Sequence, residues 1–153
     1  MGPDILWFRD NWFPVIQTLG IVGSLVFTAL SIRQATNARK ASDLLTLTEQ
    51  HRHLWNEVYS RPGLTRIYEE KIDLLANPVT VAETLFLNEV IVHFHTGWQL
   101  SCHGSLLTLQ AMKADARTFF KLPLPHAVWR QTTGTRDPKF VHFIDACLRE
   151  NKS

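Results

Sequence analysis

The sequence predicts an all-α protein: one N-terminal transmembrane helix that continues into a cytoplasmic bundle of four or five helices. Three observations predict it. An uncharged apolar run stretches from Asn11 through Ile32. Beyond it, apolar residues return at three- and four-residue intervals, with no alternating strand pattern longer than four residues. Proline and glycine sit at a few separated points, where they end one helix and open the next. The 153 residues therefore divide into a leader and anchor over 1–33, a polar juxtamembrane helix over 34–43 and a bundle over 44–150.

The first element is the anchor. Eleven of the positions between Asn11 and Ile32 are Leu, Ile, Val or Phe. At about −0.3 to −0.6 kcal/mol each, they favour the bilayer by roughly 3–6 kcal/mol before polar losses. A span needs about 20 such residues. Gln17, Thr18, Ser24 and Thr28 subtract from that total, but hydroxyls inside a helix bond back to its own backbone. Trp7, Phe8, Trp12 and Phe13 crowd one end, as an interfacial aromatic belt does, and Pro14 is expected in the first helical turn. The leader MGPDILWFRDN is not a basic n-region, and no small-residue cleavage site follows, so the segment reads as an uncleaved anchor. Arg33, Arg39 and Lys40 follow the span against a lone Arg9 before it. The positive-inside rule then places the leader outside and the C-terminal part in the cytoplasm, at the inner membrane. Gly20, Ser24 and Thr28 recur every four residues, a small-residue stripe on which membrane helices pack closely.

No glycine or proline interrupts the chain between Ser24 and Arg61, so the anchor helix is expected to run on. Its RQATNARKASD portion is polar on nearly every face. Periodicity resumes with Leu44, Leu47, His51, Leu54 and Val58, and SRPG breaks it. A helix over Pro62 to Ala76 follows, with Leu64, Ile67, Tyr68, Lys71 and Leu75 on one side. TVAE, at Thr80–Glu83, is a capping box opening a long helix through about His103, with Gly104 as its stop. SLLTLQAMKADARTFFKL supplies the next helix, ended by Pro123 and Pro125, and HAVWRQ reads as a short turn. In DPKFVHFIDACLRE, Asp137 is the N-cap and Pro138 the first helical residue, aligning Phe140, Phe143, Ile144, Cys147 and Leu148. The apolar stretch LFLNEVIVHFHTGWQLSCH is expected to be a central bundle helix. A mid-bilayer Glu89, with Asn88, His93, His95, Gln99 and His103, opposes insertion.

Composition removes some function classes. A net charge of +2 with scattered basic residues argues against nucleic-acid binding. Cys102 and Cys147 form no C-x-x-C pair and read as small buried residues in a reducing compartment. No phosphate-binding, dinucleotide-binding, nucleophile-elbow or zincin motif appears, and no cofactor is expected.

Histidine supplies the remaining candidates. Glu49 and His53 are four residues apart, as are Glu89 and His93, and each pair shares a helix face. Two such pairs meeting across a bundle are candidate metal ligands, although the attested di-iron bundles use Glu-x-x-His spacing. A thiol–imidazole pair at Cys102 and His95 fails on geometry unless His103 or another helix supplies the base, because two helical turns separate the two side chains by about 10 Å. His142 and Asp145 make an ordinary surface pair. Trp98, Trp129, Phe119 and Phe120 read as core, and Trp55 as closing the bundle's base.

RPGLTRIY, NEVIVHFHTGW, FFKLPLPHAVW and FVHFIDACL together resemble a loose family of small bacterial proteins of unknown function. Its members carry one N-terminal membrane helix and a cytoplasmic helical domain. The similarity covers most of Ile32 to Leu148, with Trp129, Phe140, Phe143 and Asp145 as its most recognisable points. It implies architecture and carries over no catalytic residue. The expected function is a non-enzymatic, membrane-tethered interaction or assembly domain, such as an accessory subunit of a membrane complex. The bilayer and a protein partner, or a second copy, are its expected partners. Alternatives are an oligomerising membrane-perturbing effector and a metal-dependent helical-bundle enzyme.

Overall fold

The structure, a computed structural model, describes residues 3–104 and 107–149, with side chains from Trp12 onward. The aromatic positions Trp7 and Phe8, the leader's Arg9 and the Ser105–Leu106 opening of the expected third bundle helix fall outside the described side chains. Among the described residues the protein is all-α: α1 Pro3–Ser60, α2 Val81–Cys102, α3 Leu109–Phe120, α4 Pro123–Thr132 and α5 Pro138–Arg149, with 3-10 helices at Pro62–Tyr68 and Thr133–Thr135. Contacts divide the chain into two units, Met1–Lys40 and Ala41–Ser153.

The first unit holds the apolar part of α1, and it is long and apolar enough to cross a membrane. None of its most apolar window is buried: Leu19 and Leu25 are each 64% exposed and Phe27 is 72% exposed. A continuous apolar surface of that kind in water is far beyond what soluble monomers tolerate. The helical hydrogen bonds satisfy its backbone, and the hydroxyls turn inward. Thr18 donates to the Pro14 carbonyl at 2.8 Å, Ser24 to Ile21 at 2.8 Å and Thr28 to Ser24 at 2.7 Å. Pro14 departs from expectation. The helix starts at Pro3, so Pro14 lies within it and forfeits one backbone bond.

The second unit is a bundle whose core joins α2, α3, α4, α5, the 3-10 helix Pro62–Tyr68 and the last turns of α1. Along α1, Leu47 and Val58 are buried and Leu44 and Leu54 half-buried, the 3-4 stripe that periodicity indicates. His51, in the same stripe, is exposed. Gly97 lets α2 approach closely: a Cβ there would collide with the tip of Met112 on α3 and lie 3.7 Å from Leu47. Thr80 caps α2, with its hydroxyl accepting from the Glu83 amide and the Glu83 carboxylate accepting from the Thr80 amide at 2.8 Å. Gly104, at φ +71°, supplies the left-handed residue after the last turn of α2. Asp137 caps α5 through the Lys139 amide at 2.7 Å.

Two expected elements differ. The segment after Arg61 is helical only through Tyr68, in 3-10 form, and Leu75 is 97% exposed instead of facing the core. Asp73 accepts from the amides of Leu75 and Ala76, an Asx turn that competes with helix. Arg66 then ties the returning strand of chain by donating to the carbonyls of Asn77 and Pro78. The second difference is α4, a full helix where a turn was expected. Pro123 and Pro125 do end α3, but they also start α4, where the first amides of a helix have no intrahelical acceptor to lose.

Candidate functional site: a groove beside α2

Gln50 to Glu57 of α1 and Ala82 to Thr96 of α2 form two helix faces that wall a groove of about 890 Å³, with Arg61 added just after α1 and Arg136 from the connection into α5. On α1 the lining positions recur as Gln50, His53–Leu54 and Glu57, one side of the helix, and Arg61 follows directly after it. On α2 they recur as Ala82, Leu85–Phe86, Asn88–Glu89, Val92–His93 and Thr96. Leu54 and Phe86 belong to or pack on the core, whereas Leu85 and Val92 stand exposed.

The structure brings three of the four sequence-derived metal candidates to this groove. His53, Glu89 and His93 line it; Glu49 does not. Among the described residues no group of three or more His, Cys, Asp or Glu side chains gathers closely enough to hold a metal ion. His93 faces a histidine that sequence spacing did not pair with it: the His51 and His93 rings are centred 5.4 Å apart. The indole N–H of Trp55 donates to His51 Nε2 at 2.8 Å, which makes that nitrogen an acceptor. His93 Nδ1 is buried without a hydrogen-bond partner.

Burial, and secondarily the neighbouring His51, holds the His93 pKa below its ordinary value of 6.5. A histidine kept neutral by the fold takes up its proton more readily when unfolded. Its contribution to stability is therefore complete above about pH 6.5 and is lost as pH falls through that value towards the depressed one. Melting temperature is expected to drop on acidification from pH 7.5 to 5.5, and to drop less in His93→Gln. Equal slopes for the two proteins would show that His93 is not the titrating group.

The other polar candidates lie apart from the groove, and His95 Nε2 is buried without a hydrogen-bond partner. His95 is packed against Phe140 at 4.7 Å and Trp98 at 5.8 Å between ring centres, while Cys102 is exposed at the end of α2. Cys102 thus departs from the expectation of a buried thiol; Cys147 is buried in the core. Asp145 accepts from the Trp129 indole at 3.4 Å. Trp129 and Phe120 are fully buried, Phe119 is buried and Trp98 packs partly exposed against the core. Trp55 stacks on Tyr68 at 5.4 Å, on a half-open surface.

Two polar features have no counterpart in the sequence reading. Glu83, only 3% exposed, takes Arg66 Nε at 3.0 Å on one oxygen; the approach is an ion pair without hydrogen-bond alignment. Its other oxygen accepts from the Thr80 amide and hydroxyl and from Arg66 Nη2 at 3.3 Å. Arg136 donates to Asn88 Oδ1, and its Nε is buried without an acceptor. Asn88 and Arg136 come from distant parts of the chain, so no local spacing signals the pair.

No protein-family model, curated protein or solved structure matches the chain.

Proposed function

We propose that the protein is a membrane-tethered, non-enzymatic interaction domain, an accessory or assembly component held at the inner membrane by α1. The observation that carries this reading is the unburied apolar length of α1 joined in one chain to a folded bundle with a formed surface groove. The basic residues Arg33, Arg39 and Lys40 after the span favour a cytoplasmic bundle and an outside N-terminus. Polar side chains in the groove are spaced as helix-surface residues, and none forms a nucleophile–base pair.

The reading predicts that the chain, extracted from native membranes in mild detergent, migrates as part of an assembly larger than one copy. Migration as a bare monomer, with nothing else stoichiometrically present, would refute it.

A second reading, a self-associating membrane effector, draws on the Gly20, Ser24 and Thr28 stripe. A Cβ built at Gly20 meets nothing within 4 Å, and the two hydroxyls are already bonded to their own helix, leaving a smooth face. Under this reading expression arrests growth and Gly20→Leu relieves the arrest; harmless overexpression of the parent chain removes it.

A further inference from the structure

Among the described residues, one charge in the groove beside α2, Arg136, has no ionic partner. Glu57 and Arg61 pair with each other at 3.1 Å, and Glu89 is exposed. Arg136 differs from both. It is half-buried, its hydrogen bond goes to the neutral amide oxygen of Asn88, and its Nε is closed to water without an acceptor. No described carboxylate lies at ion-pairing distance from it. A guanidinium in that setting favours an incoming carboxylate, because the pair forms where water competes weakly.

Beside this cation the groove is apolar. Leu85 and Val92, 64% and 50% exposed, stand two turns apart on one face of α2, over a floor that includes Leu54 and Phe86. From Gln50 to its end at Ser60 the α1 wall runs about 15 Å, and the α2 wall about 21 Å, at a rise of ~1.5 Å per residue. Walls of three to four turns match the length of a short amphipathic helix laid between two others.

We propose that this groove receives an amphipathic α-helix of a partner protein, its apolar stripe on Leu85 and Val92 and an Asp or Glu against Arg136. The inference rests on the interaction-domain reading and names the partner's chemistry. A second copy of this chain answers the description less well. The amphipathic helices that carry acids, α3 and α5, already turn their apolar faces into their own core.

The test uses the full-length chain in native membranes, with the photoreactive residue benzoyl-phenylalanine placed singly at Leu85, Val92, Leu75 or Tyr59. The last two are 97% and 77% exposed and lie outside the groove. A protein adduct is expected from Leu85 and Val92 and not from the other two. Its cross-linked peptide is an amphipathic helix with an acidic residue, and Arg136→Gln lowers the yield at least fivefold while Arg136→Lys restores part of it. If Arg136→Gln fails to accumulate, Val92→Lys, at an exposed position, is the second variant and lowers the Leu85 adduct equally. The groove proposal is overturned by adduct yield indifferent to both substitutions, by an adduct joining two copies of this chain, by cross-linking to lipid alone, or by silence at Leu85 and Val92. Protein adducts at Leu75 or Tyr59 with silence in the groove overturn this proposal alone. Silence at all four positions together with monomeric migration defeats the interaction-domain reading as well.

Discussion

Trp129→Ala is expected to lower the stability of the bundle by about 3–5 kcal/mol, the usual range for deleting a fully buried aromatic side chain. Trp129 has no exposed surface and is the largest of the fully buried side chains. It joins three helices: on α4 itself, it meets Phe120 of α3 edge-on at 5.3 Å and Phe140 of α5 edge-on at 5.7 Å. Each such aromatic pair adds about 0.5–1.5 kcal/mol beyond area alone. Three helices cannot collapse independently onto the vacated volume, so a cavity remains. Trp129→Phe keeps most of the packing and gives up the indole bond to the half-exposed Asp145, and its expected loss is about 1–2 kcal/mol. Urea unfolding of the full chain in mild detergent, followed by circular dichroism, measures both losses. A Trp129→Ala loss below about 1 kcal/mol would mean that α4 does not hold α3 and α5 together.

The second large effect belongs to Glu83. Glu83→Ala removes the buried partner of Arg66 and half of the α2 capping box in one step. Removing one member of a buried ion pair typically costs about 3–5 kcal/mol, because the remaining charge stays out of water uncompensated. Part of that is relieved here, since the Arg66 side chain is 27% exposed and also donates to the Asn77 and Pro78 carbonyls. An expected loss of about 2–4 kcal/mol follows. Glu83→Gln keeps an acceptor for the Thr80 amide and gives up only the charge, so it falls between the two. The residual deficit of Glu83→Gln isolates the ion pair from the cap. Identical losses for Glu83→Ala and Glu83→Gln would show that only the charge matters.

Local rules made several of these elements legible from the letters alone. The capping box at Thr80 and Glu83, the Asp137–Pro138 start of α5 and the glycine stop at Gly104 are each decided within four residues, and each occurs. The core stripe of α5 follows from its periodicity. What was not legible depends on distant residues. The helix expected through Ala76 gives way after Tyr68 because Arg66 reaches across the loop to Pro78 and Glu83. The HAVWRQ segment becomes a helix because Trp129 is drawn into a core supplied by α3 and α5. The groove is legible only in part: the four-residue spacings Glu49–His53 and Glu89–His93 put His53, Glu89 and His93 on faces that line it, and nothing local announces that Arg136 lies beside Asn88. Similarly, spacing puts His51 in the core stripe, yet it meets His93 from an exposed site.

Residence of α1 in lipid, with the bundle on the inner side, is most directly tested at Cys102, which is exposed, while Cys147 is buried. A membrane-impermeant maleimide is applied to intact spheroplasts and to inside-out vesicles, followed by an alkaline carbonate wash. The account predicts an unlabelled chain in spheroplasts, a labelled chain in inside-out vesicles, and full retention in the washed pellet. Labelling in intact spheroplasts, or release of the chain by carbonate, contradicts it.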